Sequence, residues 1–138
     1  MISSGRDFMS AQYKVLVVED LVLAQRIALM VLKNINCDAV AASNGKIAIE
    51  MVAKQRFDLI LMDLGLPDTD GVTLTMKMRA MGGWLANVPI VALTAHSDQL
   101  IRNKAGEAGI DGFYVKPMTM RVGKDIITQY LNLDLCVS

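Results

Sequence analysis

The sequence predicts an α/β fold with a doubly wound, parallel five-stranded sheet of order 2-1-3-4-5. Short apolar segments alternate five times with longer segments of helical length, and the connections between them are short. This alternation is typical of parallel strands joined by right-handed crossover helices that cover both faces of the sheet. Four of the apolar segments end abruptly in a carboxylate, a hydroxyl or a lysine. Open sheets of this class bind their ligands at the carboxyl ends of the strands.

Each element follows from a local pattern. Continuous runs rich in Val, Ile and Leu predict buried strands, and the longer mixed segments predict helices. The predicted strands are residues 14–18, 38–42, 59–62 and 90–94, with a fifth inside 109–115. The predicted helices are 21–34, 46–55, 71–81, 98 to about 105, and 119–131. We expect the polar fourth helix to pack lightly and Gly123 to weaken the last helix.

Length and charge restrict the classes of function. The 138 residues suffice for one domain, which we place at 14–131, after a flexible arm or linker at 1–13 and before a C-terminal tail at 132–138. The net charge is zero, so nothing favours nucleic acid or a membrane surface as a partner of this domain by itself. There is neither a signal-peptide pattern nor a long apolar span, and we expect a cytoplasmic location.

Three carboxylates are expected to meet at one edge of the sheet. Glu19 and Asp20 end the first strand and Asp63 ends the third, and these strands are neighbours in the predicted order. Their mutual repulsion is relieved by a hard divalent cation such as Mg²⁺, which prefers oxygen ligands. The backbone carbonyl of Gly65 is a further candidate ligand. Alternatively, Asp20 is the N-cap of the helix that follows it.

The fourth and fifth strands bring a hydroxyl and an ammonium group to the same edge. Thr94 ends the fourth strand and Lys116 ends the fifth. Together with a cation, these groups form a receptor for a phosphoryl group, and Asp63 is placed to be its nucleophile. The structural alternative is that Asp63 forms a turn and Lys116 is its ion-pair partner. The four strand ends taken together favour phosphoryl chemistry.

Over about residues 14 to 131 the chain resembles the receiver domains of two-component response regulators. That family has the flavodoxin-like (βα)5 fold. The matching motifs are Val17-Val18-Glu19-Asp20, Met62-Asp63-Leu64-Gly65-Leu66-Pro67 with Asp70-Gly71, Pro89-Ile90-Val91-Ala92-Leu93-Thr94-Ala95 and Val115-Lys116-Pro117.

The resemblance implies a set of roles at the metal and phosphoryl site. Asp63 would accept a phosphoryl group from phosphohistidine, in a reaction by which the domain catalyses only its own phosphorylation and dephosphorylation. Asp20 and Asp63 would bind Mg²⁺, or alternatively Mn²⁺, directly. Glu19 would bind the ion through water and Gly65 through its carbonyl oxygen.

The resemblance also implies a switch. Thr94 would hydrogen-bond the phosphoryl group, Lys116 would pair with it, and the bond between Lys116 and Pro117 would be cis. Phe113 stands at the aromatic switch position, where Tyr is commoner, so no switch hydroxyl is present. His96 would be a rim residue beside the phosphoryl group. Phosphorylation would then change the surface formed by the fourth helix, the fifth strand and the last helix.

The implied partners are a histidine kinase or a histidine phosphotransfer domain, as phosphodonor or acceptor. The chain is either a stand-alone receiver or the receiver of a hybrid sensor histidine kinase, and we favour the hybrid kinase. The first helix carries more apolar residues than one sheet face accommodates, and we expect the surplus to meet the partner. The alternatives are a degenerate receiver that only mediates interactions, a flavodoxin-like ligand-binding protein, and an aspartate-nucleophile phosphatase.

Overall fold

A computed structural model describes residues 13–95 and 98–131. The strands are β1 (Tyr13–Val18), β2 (Cys37–Ala42), β3 (Leu59–Met62), β4 (Ile90–Thr94) and β5 (Gly112–Val115). The helices are α1 (Val22–Asn34), α2 (Gly45–Lys54), α3 (Gly71–Met81), α4 (Gln99–Ala108) and α5 (Met120–Leu131), with a 3₁₀ turn at Gly83–Ala86. Residues 1–12 of the expected arm, the tail at 132–138 and the rim candidate His96 lie outside the described residues.

The five strands form one parallel sheet of order β2-β1-β3-β4-β5, which confirms the predicted fold class. Val18 of β1 lies beside Met62 of β3, so the two strands end level with each other. Thr94 of β4 lies beside Val115 of β5. The register therefore brings the residues that follow β1, β3 and β5, together with the last residue of β4, to one edge of the sheet.

Helices cover both faces of the sheet, and the side chains alternate between them. Leu16 and Val18 of β1 face a core built with α2, α3 and α4. Val15 and Val17 face a second core, built with α1 and α5. All four of these side chains are buried, which explains why the strand reads as a continuous apolar run rather than as an alternating one.

Several boundaries differ from those predicted. β1 begins at Tyr13 rather than at residue 14, and the Tyr13 hydroxyl donates a hydrogen bond to the Leu131 carbonyl oxygen (3.3 Å). α4 extends to Ala108, beyond the expected end near residue 105, and ends where Gly109 adopts φ 104°. The segment around Trp84, expected to be a loop, forms the 3₁₀ turn. None of the helices in residues 13–95 and 98–131 combines the length and the hydrophobicity that a membrane span requires.

Gly123 has a packing role that its effect on helix propensity does not reveal. It lies in α5, where a Cβ atom would stand 2.6 Å from Cγ1 of Val31 on α1. The missing side chain therefore allows α5 to approach α1 closely. By contrast, a Cβ atom at Gly106 of α4 would meet no heavy atom within 4 Å.

We expect Gly123→Ala to destabilise the fold and Gly106→Ala to stabilise it. The first adds a methyl group to a filled interface, which typically costs about 1–3 kcal/mol. The second removes only the backbone entropy penalty of glycine in a helix, about 0.5–1 kcal/mol. Urea unfolding of both variants gives the two free energies. A stabilising Gly123→Ala would show that α1 and α5 are not closely packed at this point.

Candidate functional site

Three carboxylates converge where β1 and β3 end. Oxygen atoms of Glu19, Asp20 and Asp63 all lie within 4.8 Å of one another. The Glu19 residue is 4% exposed and Asp63 is 8% exposed, while Asp20 is half-buried. Three negative groups this close, with two of them largely buried, repel each other strongly and require nearby positive charge.

Lys116 supplies one such charge from the end of β5. Its ammonium group contacts Oε1 of Glu19 and lies 3.3 Å from Oδ2 of Asp63. Burial alone would lower the pKa of Lys116, but the hydrogen bond to Glu19 and the charge of Asp63 raise that pKa above its ordinary value. Lys116 therefore stays protonated. Burial raises the pKa of Glu19, in spite of the hydrogen bonds that it accepts from Lys116 and Leu21.

Glu19 also organises the start of α1. Its Oε2 accepts a hydrogen bond from the Leu21 N–H (3.1 Å), and its backbone carbonyl accepts one from the Gln25 amide. The N-cap position is Leu21, which has no side-chain capping bond. The alternative interpretation of Asp20 as the helix N-cap is therefore wrong, because the chain turns into the helix one residue later. The Asp20 carboxylate faces the other two acids instead.

The loop after β3 wraps around the Asp63 carboxylate. The Gly65 N–H donates to Oδ1 of Asp63 (3.2 Å), and Gly65 pairs with Asp70 in an isolated antiparallel bridge. Gly71 lets α3 begin against the strand end, since a Cβ atom there would stand 2.5 Å from the Asp63 carbonyl oxygen. Gly65 is exposed and has open space beside it, so its carbonyl group lies in a loop that solvent reaches.

The two other acids of this loop are helix caps, a function that the sequence analysis missed. Asp68 accepts hydrogen bonds from the N–H groups of Gly45 (2.9 Å) and Lys46 (3.1 Å) at the start of α2. Asp70 accepts one from the Thr73 N–H (2.7 Å) at the start of α3. Backbone hydrogen bonds lower the pKa of both carboxyl groups. An Asp immediately before a helical segment is a recognised N-cap pattern, so Asp70 was predictable, whereas the long-range cap by Asp68 was not.

The remaining predicted residues lie on β4 and β5. Thr94 is buried at the end of β4, and its carbonyl oxygen accepts a hydrogen bond from the Lys116 N–H (2.8 Å). The peptide bond between Lys116 and Pro117 is cis, as the resemblance implies. Phe113 is half-buried on β5, beside Ala92 of β4. The structure thus brings Glu19, Asp20, Asp63 and Lys116 into one cluster, with Thr94 at the same sheet edge.

Arg79 is a structural residue that the sequence analysis did not identify. From α3 its guanidinium donates to the carbonyl oxygens of Leu85 (3.0 Å), Val88 (2.7 Å) and Gly109 (2.6 Å). It also forms an ion pair with Asp111 (3.0 Å). These bonds tie the 3₁₀ turn and the C-terminal end of α4 to α3, far from the carboxylate cluster.

A small apolar cavity lies under the charged cluster, on the side of α1. It has a volume of about 100 Å³ and is lined by side chains that include Leu61, Leu93, Ile27 and Ala28, with Lys116 at its edge. An apolar wall beside buried charges keeps the local dielectric constant low. Electrostatic interactions inside the cluster are therefore stronger than they would be in water.

The donor set suits a hard divalent cation. Every side-chain ligand is a carboxylate oxygen, and the neighbouring loop adds backbone carbonyl groups, which is the chemistry that Mg²⁺ selects. A flavodoxin-like phosphate site instead requires a loop of N–H donors after the first strand. Here that position holds two acids, which would repel a bound phosphate in the absence of a cation.

Comparison with known proteins identifies the family. A family model described as the response regulator receiver domain matches residues 15–128. The chain is 38% identical over 109 residues to hybrid signal transduction histidine kinase M of Dictyostelium discoideum, covering 75% of this chain and 4% of that protein. It is 36% identical over 108 residues to transcriptional regulatory protein ResD of Bacillus subtilis, covering 78% of this chain and 43% of ResD. The chain therefore spans less than half the length of both relatives.

A solved structure extends the similarity to the fold. The receiver domain of sensor histidine kinase PA1611 from Pseudomonas aeruginosa has a magnesium ion coordinated in its active site cleft. It superimposes with a TM-score of 0.81 at 30% identity, over 89% of this chain and all of that one. The acidic cluster, the sheet order and the family match agree with one another. The chain belongs to the response regulator receiver domain family of two-component signalling proteins.

Proposed function

We propose that Asp63 is the phosphoacceptor of this receiver domain and that Glu19, Asp20 and the Gly65 carbonyl help to hold Mg²⁺ beside it. The observation that carries the proposal is the cluster itself, in which oxygens of three carboxylates lie within 4.8 Å of one another and the Lys116 ammonium contacts Glu19 and Asp63. Bound Mg²⁺ would neutralise charge on the carboxylates and on the incoming phosphoryl oxygens.

The reaction is an in-line transfer from a phosphohistidine. An oxygen of the Asp63 carboxylate attacks phosphorus, the bond between phosphorus and the imidazole nitrogen breaks, and its electron pair returns to that nitrogen. Lys116 already lies 3.3 Å from Oδ2 of Asp63, so its ammonium can follow the charge onto the phosphoryl oxygens. The Gly65 N–H holds Oδ1 of Asp63, which fixes the orientation of the nucleophile before transfer.

Phosphorylation is also proposed to move the switch residues. Three phosphoryl oxygens at Asp63 are strong acceptors, and the Thr94 hydroxyl would move to donate to one of them. Phe113 could then turn towards the space that Thr94 leaves. The change is a shift between two populated states that alters the surface of α4, β5 and α5.

We expect incubation with acetyl phosphate and Mg²⁺ to add one phosphoryl group to the protein, as measured by intact mass. The gain should disappear when Mg²⁺ is chelated and in Asp63→Asn, because the amide is a poor nucleophile. Asp125→Asn is the matched control, since Asp125 is an exposed acid on α5. Its mass gain should equal that of the wild type. A full gain in Asp63→Asn would place the phosphoryl group elsewhere and refute the assignment.

The exposed face of α1, together with its N-cap residue, is the proposed docking surface for the phosphodonor. Leu21, Val22, Leu23 and Met30 are all more than half exposed, and we call these four residues the α1 apolar patch. The patch begins two residues after Glu19 and is therefore continuous with the edge of the site. We propose that the helices of a histidine kinase or of a histidine phosphotransfer domain pack on this patch and present their phosphohistidine to Asp63.

We expect Leu23→Glu to slow phosphotransfer from a phosphorylated histidine donor about tenfold, the loss typical of one disrupted interface anchor. Phosphorylation by acetyl phosphate should be unchanged, because a small donor does not need the patch. Met76→Glu is the matched control: Met76 is exposed to a similar degree, but on α3. Single-turnover transfer with radiolabelled donor measures the rates. Equal slowing in both variants would contradict docking on α1.

Three features of the proposal stay predictions. They are the use of Mn²⁺ in place of Mg²⁺, a cytoplasmic location, and a hybrid sensor histidine kinase as the parent protein. A degenerate receiver is disfavoured because the acids and the lysine that phosphoryl chemistry requires are present, and the lysine contacts two of the acids.

A further inference from the structure

A cation–π contact joins α4 to the aromatic ring of β5. The guanidinium carbon of Arg102 lies 5.1 Å from the centroid of the Phe113 ring. This distance is inside the range of about 6 Å over which a guanidinium is attracted to a ring face. The two residues lie on different elements, so the contact links the orientation of the ring to the position of the helix.

The Phe113 ring lies on the same face of the sheet as Thr94. Phe113 is the register partner of Ala92 on β4, and both pack into the core that lies under α2, α3 and α4. Thr94 follows Ala92 by two residues, so its side chain points to the same face as that of Ala92. A ring that moves towards Thr94 must therefore leave its present contact with Arg102, or carry Arg102 along.

On its outer side the Phe113 ring borders an open crevice. A surface crevice of about 230 Å³ lies between α4 and β5, and its lining includes Arg102, Phe113, Gly106 and Gly112. Gly106 has no side chain to fill it, and a Cβ atom there would meet no heavy atom within 4 Å. Ala105 is the one buried side chain of α4 among the described residues. At the C-terminal end of the helix, Arg79 of α3 binds the Gly109 carbonyl oxygen.

The lack of a hydroxyl group on Phe113 also limits the interactions that can fix the orientation of its ring. A tyrosine at this position could fix each orientation with a hydroxyl hydrogen bond, but the Phe113 ring has only its face and its edge. Attraction between the ring face and a cation is then one of the few specific interactions that distinguish one orientation from another.

We propose that Arg102 is a positioning residue that holds Phe113 in its present orientation and thereby biases the domain towards the unphosphorylated state. The effect on phosphorylation rests on the proposed function, whereas the positioning of the ring does not. A surface cation–π contact changes the ratio of two ring orientations about two- to fivefold. Loss of the contact should favour the phosphorylated conformation by that factor.

The first test measures the ring in the absence of any phosphate analogue. The full chain is labelled with 4-fluorophenylalanine, and the ¹⁹F resonance of Phe113 is assigned with Phe113→Leu. Arg102→Gln should shift this resonance, and Arg102→Lys, which keeps a cation, should restore much of the wild-type position. Lys104→Gln removes the same charge from an exposed neighbouring position and should leave the resonance in place. An unchanged resonance in Arg102→Gln, or an equal shift in Lys104→Gln, would overturn the proposal.

The second test measures the coupling to phosphorylation. The same resonance is followed while beryllofluoride, a phosphoryl mimic, is added in the presence of Mg²⁺. Arg102→Gln should respond at a concentration about two- to fivefold lower than the wild type. Equal midpoint concentrations of beryllofluoride for the variant and the wild type would overturn the proposed bias towards the unphosphorylated state. A wild-type protein that does not respond at all would refute the proposed function, and the positioning of the ring would still be decided by the first test.

Discussion

The contact of the Lys116 ammonium with Glu19 and Asp63 is the interaction on which the rest of the site depends. Two buried carboxylates and a third beside them would otherwise carry a large desolvation and repulsion energy. The parallel register of β1, β3 and β5 brings these groups to one edge of the sheet. The peptide bond that follows Lys116 is cis. The excess negative charge of the carboxylates makes the cluster suited to a divalent cation. The positive charge of that cation and of Lys116 would then suit the cluster to a negatively charged phosphoryl group.

Most of the fold and the centre of the site could be predicted because their determinants are local in sequence. Continuous apolar runs fixed the strands, and the five strand–helix units left few ways to order the sheet. Once Asp63 and Lys116 were assigned to strand ends, a parallel sheet necessarily placed them on the same edge. The charged residues are informative for the same reason: a carboxylate that directly follows a buried strand has few structural explanations.

Other features depend on contacts between distant segments and could not be predicted. Asp68 caps α2 although it follows β3, and Arg79 binds carbonyl groups on two separate loops. Gly123 was expected only to weaken α5, and its contact with Val31 of α1 adds a packing role. In each case the residue contacts a segment that is distant in the sequence, and the residues around it do not indicate that contact.

The most direct test of this account is the affinity for Mg²⁺ of the wild type, Lys116→Met and Lys124→Met, measured by isothermal titration calorimetry. If the ammonium and the divalent cation compensate the same carboxylates, removing the ammonium should strengthen Mg²⁺ binding by about tenfold, because the repulsion between two close positive groups is lost. Lys124 is exposed on α5, and its variant should bind like the wild type. Equal or weaker binding by Lys116→Met would contradict the central role assigned to this contact.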